Sequence, residues 1–568
     1  SETLRSNVAS NELRASYFAS VHQQVEFYVA VLMEQAGRAS GGGAAAAFEV
    51  SERGRARSLL ETLAEARADI RRGADQLLLR REQALNRQLD ARAAQRVQLL
   101  ARKAPEQELT AAERALEALA KEYTQVQGQI RASSPRYAAL VRPAPLSLAE
   151  IQQQVLDRDT VLLEYSLGEE RSFVWAVTPS SIKSFTLPSR VEVEKAAVNV
   201  YRLLTERNRA IKGETAEQRS ARVARAEAEY DEASTALSRM ILGPLASELG
   251  SKRIAVVADG ALQYVPFAAL PDPAGARAGV ASRRPPLIIG HEILSLPSAS
   301  VLALMREELR RRQQAPKAVA VLADPVFDSD DERLKEAKAV PGQASVARAE
   351  LDAPGPVSSS RARGTLRSFD EGDGQGLARL PFSRREARAI MEVVPEGEGL
   401  LALDFRASRA TVMGGALADY RIVHFATHGI LNSTRPELSG IVLSLYDETG
   451  RSQDGFLGLS EIYNLDLQAD LVVLSACETA LGKEIRGEGL VGLTRGFMYA
   501  GSPRVIASLW KVDDAVTARL MAQFYKVMLV QGRPPAAALR AAQVQMWQQG
   551  QWSSPYYWAA FTLQGEWK

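Results

Sequence analysis

Leu471-Val-Val-Leu-Ser-Ala-Cys477-Glu-Thr-Ala-Leu-Gly482 is an apolar run that breaks off at a thiol. Upstream, Arg421-Ile-Val-His-Phe-Ala-Thr-His428-Gly429 breaks off in the same way at an imidazole. Short apolar runs that end abruptly in polar residues read as strands of a sheet buried on both faces, which is the pattern of a parallel sheet. Sites in such sheets form where strands end at their carboxyl edge, so two neighbouring strands would bring His428 and Cys477 face to face. A thiol is only a few per cent thiolate near neutral pH, and an adjacent imidazole accepts its proton as it attacks a carbonyl. The backbone N–H groups of Gly429 and Cys477 are the candidate donors to the oxyanion, and protonated His428 would then serve the leaving amine.

Three plainer readings compete. A lone cysteine at a strand end is often a small buried hydrophobe. His424 and His428 have the i, i+4 spacing of metal ligands, but they sit in a strand-to-loop segment with no third ligand following, so no metal is expected. In a strand, residues 424, 426 and 428 share one face, which places His424 behind the site. Gly487-Glu-Gly489-Leu-Val-Gly492 matches a dinucleotide-binding pattern, with Asp513 and Asp514 downstream. The true fingerprint follows its strand directly, whereas here about ten residues intervene, and the glycines are read instead as a flexible loop entering a helix near Leu490. No cofactor is expected.

Working outward, Ile254 to Ala258 and Val319 to Ala323 are further buried-strand runs, the first emptying into Asp259 and the second into Asp324-Pro325. Val161 to Tyr165, Phe173 to Val177 and Val505 to Trp510 read as strands, and Arg384 to Val393 and Ala515 to Leu529 as helices. Between Asp328 and Leu380 the chain loses apolar periodicity, which marks a linker or surface insertion. Arg361, Arg363 and Arg367 within it make self-cleavage conceivable. Before Pro143 the texture is helical: Val21, Val25, Tyr28 and Leu32 step by three and four, and Pro105 separates two long periodic stretches. The expected units are a helical region over 1–145, a first α/β half over 146–327, a linker over 328–379 and a second half over 380–568.

Bulk properties add exclusions. A chain of 568 residues with a net charge of +2 gives no global reason to expect nucleic acid or an anionic membrane as partner. One cysteine rules out an intramolecular disulfide and multi-thiolate zinc sites, which suits a cytoplasmic protein. No run of about 18 apolar residues is present.

Together, His-Phe-Ala-Thr-His-Gly at 424–429, Leu-Ser-Ala-Cys-Glu-Thr-Ala at 474–480, Gly-Glu-Gly-Leu at 487–490 and Ser-Leu-Trp-Lys-Val-Asp-Asp at 508–514 resemble the CHAT family. These are caspase-like peptidases of the separase and caspase clan, often preceded by tetratricopeptide repeats. Asp259-Gly-Ala-Leu-Gln-Tyr-Val-Pro-Phe267 and Leu380-Pro-Phe-Ser-Arg-Arg-Glu386 extend the likeness over about 146–568, and Ala47 to Leu60 looks like a last repeat-type helix. The offset of 49 positions from His428 to Cys477 is near the caspase separation of about 50. The resemblance implies an α/β caspase-like fold, a degenerate half plus an active half with mostly parallel sheets, behind an N-terminal α-helical repeat-type region. It implies His428 and Cys477 as a dyad, with Asp514 or Asp513 selecting a basic P1 residue and Asp454 lining the groove, although Asp454-Gly455 also reads as a simple turn. Ser-Ala-Cys-Glu-Thr in place of Gln-Ala-Cys-Arg-Gly argues against P1 aspartate. The expected function is a cysteine endopeptidase acting on a protein substrate and regulated by a protein bound to the helices; the alternative is a silent caspase-like scaffold.

Overall fold

A computed structural model describes residues 24–36, 43–55, 75–101, 105–133, 145–273, 285–339, 377–430, 439–475, 483–485 and 489–568. Its centre is an 11-stranded sheet in the order β3-β2-β1-β4-β5-β16-β15-β12-β8-β6-β7. The first-half strands are β1 (Thr160–Ser166), β2 (Ser172–Thr178), β3 (Ser181–Leu187), β4 (Arg253–Val257) and β5 (Ile293–Ser295). The others are β6 (Lys317–Ala323), β7 (Gly399–Leu403), β8 (Tyr420–Ala426), β12 (Leu471–Leu474), β15 (Arg504–Ser508) and β16 (Phe561–Gly565). Within this sheet every pairing among the described residues is parallel except β1–β2, β2–β3 and β15–β16. Strands such as β6 and β12 are buried along almost their whole length because helices cover both faces, so their sequences run apolar without alternation. The fold class is thus the expected one, a mostly parallel α/β sheet behind helices.

Two features of the sheet position the site. First, β16 runs parallel to β5 and antiparallel to β15, so the parallel strands of the two halves point in opposite directions and their carboxyl edges lie on opposite sides. Second, β6 lies between β8 and β7, pairing Val321 with His424 and Val319 with Gly399. The run Val319–Ala323, grouped above with the first half, therefore hydrogen-bonds on both sides to second-half strands. The linker excursion separates it in sequence from partners it meets in space.

One core cluster extends from Val29 and Phe48 in the helical region through both halves to Trp567. The helix Gly43–Arg53 buries Phe48 edge-on against Trp175, ring centres 6.1 Å apart. Two long helices, Gln76–Ala101 and Glu106–Ser133, form a hairpin broken at Pro105 as read from sequence, with its own small cluster of Leu85, Val126 and Ile130. The halves are joined by Arg306, whose guanidinium pairs with Glu566 and stacks 4.4 Å over the Trp567 ring.

The helix expected near Leu490 begins at Leu493 instead. Gly489–Val491 is a strand, β14, paired antiparallel with Lys483–Ile485, β13. The hairpin satisfies these backbone groups, and Gly492 stays extended as the cap of the helix that follows.

Candidate functional site

The sequence built β8 to end abruptly, and it does. Thr427 turns inward to donate its hydroxyl to the Val442 carbonyl, and His428 opens a short strand, β9 (His428–Ile430). β9 pairs with β10 (Gly440–Val442), which pairs with β11 (Phe456–Gly458), forming a small sheet that rises beside the carboxyl edge. Gly429 lies opposite Ile441 in this register. β12 runs parallel to β8 with Leu474 level with Phe425, and the Ser475 N–H donates to the Phe425 carbonyl at 2.9 Å. Cys477 itself lies outside the described residues. The chain at Ser475, two residues before it, is thus hydrogen-bonded to a point three residues before His428.

His428 is buried, with its ring centre 5.1 Å from that of Phe327. Burial pushes its pKa down to about 4, with Lys511 adding to the effect against the hydrogen bond to Ala378. Its Nε2 lies 2.7 Å from the Ala378 carbonyl oxygen. A carbonyl only accepts, so this nitrogen carries the proton and the imidazole is neutral.

Ala378 belongs to a strap, residues 377–380, that leads into the helix Pro381–Met391. Leu377 packs with Phe327, Val442, Leu445 and Phe456. Arg379 forms a two-pronged pair with Asp324, Nε to Oδ1 at 2.9 Å and Nη2 to Oδ2 at 2.8 Å. Asp324 is fully buried at the end of β6 and adopts φ +48°, a left-handed conformation that is uncommon outside glycine. Arg384 at 2.7 Å and Arg333 at 3.2 Å complete its surroundings, and Ser383 accepts its N–H. From the sequence Asp324-Pro325 reads only as a strand end, and no local pattern singles out Arg379.

The other predicted acids occupy different settings. Asp514 starts the helix Asp514–Tyr525, and its Oδ2 accepts the Phe382 N–H at 2.9 Å. Burial, then the carboxylates of Glu386, Asp513 and Asp324, push its pKa up to about 7 against that hydrogen bond. Asp513 caps the same helix, accepting from the N–H groups of Ala515 and Val516 at 3.0 and 3.1 Å. Asp454 accepts the Phe456 N–H at 3.2 Å and lies 3.7 Å from Arg409, and burial raises its pKa. In place of a turn, the chain here runs straight into the strand Phe456–Gly458, and glycine is required for close approach: a Cβ on Gly455 would come within 2.5 Å of the Ser444 carbonyl. His424 is held below the site between the Tyr525 hydroxyl, 3.0 Å from Nδ1, and Glu386, 2.8 Å from Nε2. Among the described residues no group of three His, Cys, Asp or Glu side chains is arranged to hold a metal ion. Gly489 and Gly492 flank a hairpin strand, not the strand-to-helix turn that cradles a dinucleotide.

Comparison with known proteins gives three findings. The model of the CHAT domain matches residues 231–566. Tetratricopeptide repeat protein 28 of Mus musculus is 36% identical over 109 residues, 19% of this chain, and that of Homo sapiens 33% identical over 113 residues, 20% of this chain. Each alignment spans only 4% of the relative's length. Among solved structures, the Saccharomyces cerevisiae separase–securin complex aligns over 78% of this chain and 32% of its own, with TM-score 0.45 and 10% identity. The Arg-specific cysteine proteinase gingipain R aligns over 66% of this chain and 75% of its own, with TM-score 0.33 and 12% identity.

Proposed function

The chain belongs to the CHAT-domain family, whose model covers more than half of it, and on that premise we propose that it is a cysteine endopeptidase working through Cys477 and His428. The observation that carries this reading is the placement of His428 where β8 leaves the sheet, next to the strand that leads to Cys477. In acylation the Cys477 sulfur attacks the peptide carbonyl and its proton passes to His428. The N–H groups of Gly429 and Cys477 hold the oxyanion, and His428 returns the proton to the leaving amine. Water then hydrolyses the thioester with His428 as base. Because burial keeps His428 neutral down to about pH 4, it is in the proton-accepting form across the physiological range.

A basic residue on the acyl side of the scissile bond is supported by the acids that gather at this edge. Asp324 is already paired with guanidinium groups there, and Asp514 lies behind it. A regulatory protein bound to the helical region would reach the first half through Arg55, which comes just after the helix Gly43–Arg53 and is buried against Glu164. Fluorogenic peptides ending in Arg or Lys, assayed beside Cys477→Ala, test the proposal. Release above the background of that variant is expected, and identical rates with and without candidate partners would sink it.

A second reading, a binding module that does not cut, is favoured by one observation: the Nε2 proton of His428 is engaged by the chain's own Ala378 carbonyl. Binding of a basic peptide without any turnover in every partner-bound state would select it.

A further inference from the structure

The strap at 377–379 is neither helix nor strand, yet its three residues are each held by a separate contact at the carboxyl edge. Leu377 fills an apolar socket made by Phe327, Val442, Leu445 and Phe456, and is itself almost completely buried. The Ala378 carbonyl takes the Nε2 proton of His428. Arg379 places both guanidinium prongs on the Asp324 carboxylate. Phe327 and Asp324 lie three residues apart on one loop, so side chains two residues apart on the strap reach neighbouring receptors on the same wall. This is the manner in which a peptide ligand is bound: a side chain in an apolar pocket, a charged anchor with matched geometry, and a main-chain hydrogen bond between them.

The surroundings point the same way. Asp324 is fully buried and would be unsustainable as a lone carboxylate, but Arg333 and Arg384 remain on it from positions outside the strap. The Arg379 side chain is 40% exposed, so it sits at the mouth of the socket rather than in its floor. The socket therefore survives the departure of the strap, whereas the pairing of His428 with another group at Nε2 does not survive its presence.

We propose that Leu377-Ala378-Arg379 is a tethered peptide occupying the groove beside His428, and that the groove's external ligands are peptide segments carrying an aliphatic residue two positions before an arginine. The proposal rests on the reading of this edge as the functional site. The free chain is then latent, and an external segment must outcompete a tethered one. A short tether presents its ligand at an effective concentration on the order of millimolar, so a strap whose sequence binds the open groove with an intrinsic constant of about 10 μM weakens any external peptide about 100-fold.

The test uses the full-length chain with Cys477→Ala, so that binding is read without turnover. A fluorescein-labelled peptide with a Leu-Ala-Arg core is titrated by anisotropy into this protein and into one that also carries Leu377→Asp and Arg379→Glu. Affinity at least about 10-fold tighter in the strap variant is expected. The gain should vanish for peptides in which Leu is replaced by Asp or Arg by Glu. Equal affinity with and without the strap substitutions, or an equal gain for the control peptides, overturns the proposal. Should the double variant melt, Arg379→Gln replaces it, with a smaller gain of the same sign expected and no gain counting against the strap. The peptidase reading fails separately. Tight binding to the strap variant with no hydrolysis by the Cys477-containing counterpart sinks catalysis and leaves the strap standing. Equal hydrolysis by wild type and strap variant sinks the strap and leaves catalysis standing.

Discussion

The carboxyl edges of the two halves solve the same problem with different degrees of finality. In each, a buried parallel strand delivers an aspartate at its end: Asp259 after β4 and Asp324 after β6. In the first half the acid is sealed from the helical region. Arg55 reaches the Tyr165 and Ala258 carbonyls, bonds Glu164 at 3.1 Å and lies 4.0 Å from Asp259, while Arg190 lies 3.6 Å from it. Glu52, one turn from Arg55, accepts the Ser300 N–H at the start of the helix Ala299–Arg311. In the second half Asp324 is sealed by Arg333, Arg384 and the strap's Arg379. The decisive contrast is solvent: the Arg55 side chain is 5% exposed and that of Arg379 is 40% exposed. A pair in full burial leaves an uncompensated charge when broken, whereas a pair at the rim gives up little. The first edge is built to stay shut, and the second to open.

The largest effect that separates the edges is chemical. If the second edge alone carries catalysis, Cys477→Ala or His428→Ala lowers turnover of an arginyl peptide by at least about 10³-fold. Arg55→Ala, at the other edge, changes melting without abolishing turnover per folded molecule. Steady-state kinetics beside thermal melts read both, and loss of activity in folded Arg55→Ala would break the division.

In stability the order reverses. Arg55→Ala removes its hydrogen bonds to Glu164 and to the Tyr165 and Ala258 carbonyls in a dry interior and leaves Asp259 facing Arg190, and it should cost about 3–5 kcal/mol. Arg379→Ala, at a half-exposed rim where two arginines remain, should cost about 1 kcal/mol or less. Denaturant titration of the two variants checks this, and comparable losses would erase the contrast.

The smallest effect is the dependence on pH. Burial first, and then the Glu52 carboxylate, raise the pKa of Glu164. An acid whose folded pKa lies above its unfolded value contributes stability that is complete below the unfolded value, near 4.3, and is lost as pH rises through the folded one. Asp514, raised to about 7, behaves likewise over its own window from about 4 to about 7. His428, lowered to about 4, has the opposite sign: its contribution is present above about 6.5 and lost as pH falls through 4. Melting temperature is therefore expected to decline from mildly acidic to mildly alkaline pH. Glu164→Gln should flatten the decline at the first edge, and Asp514→Asn the part ending near pH 7 at the second. Unchanged slopes in both variants would remove these carboxyls from the account.

Much of the fold was legible because strands and helices announce themselves through local periodicity. The runs ending at Tyr165, Val177 and Ala323 are strands in the structure, and Pro105 separates two helices. The strand before His428 was equally plain. The hairpin at 483–491 was missed because its glycines carry no apolar alternation, and only pairing between its arms defines it. Asp514 stands out through the Ser-Leu-Trp-Lys-Val-Asp-Asp motif, but its partner, the Phe382 N–H, lies 132 residues away, a separation on which residue spacing is silent.

By itself, then, the sequence determined the elements: where apolar runs begin, and that they end in His428, in Asp259, in Asp324 and just short of Cys477. Those features follow from a strand or helix burying itself, which a few neighbouring residues settle. Tertiary structure alone decided that β6 joins the second half, that the halves face opposite ways, and that Arg55 closes one edge while Arg379 closes the other. An arginine 55 or more residues from its aspartate finds it only once the sheet has ordered its strands, because charge pairing acts through space and leaves no period in the chain.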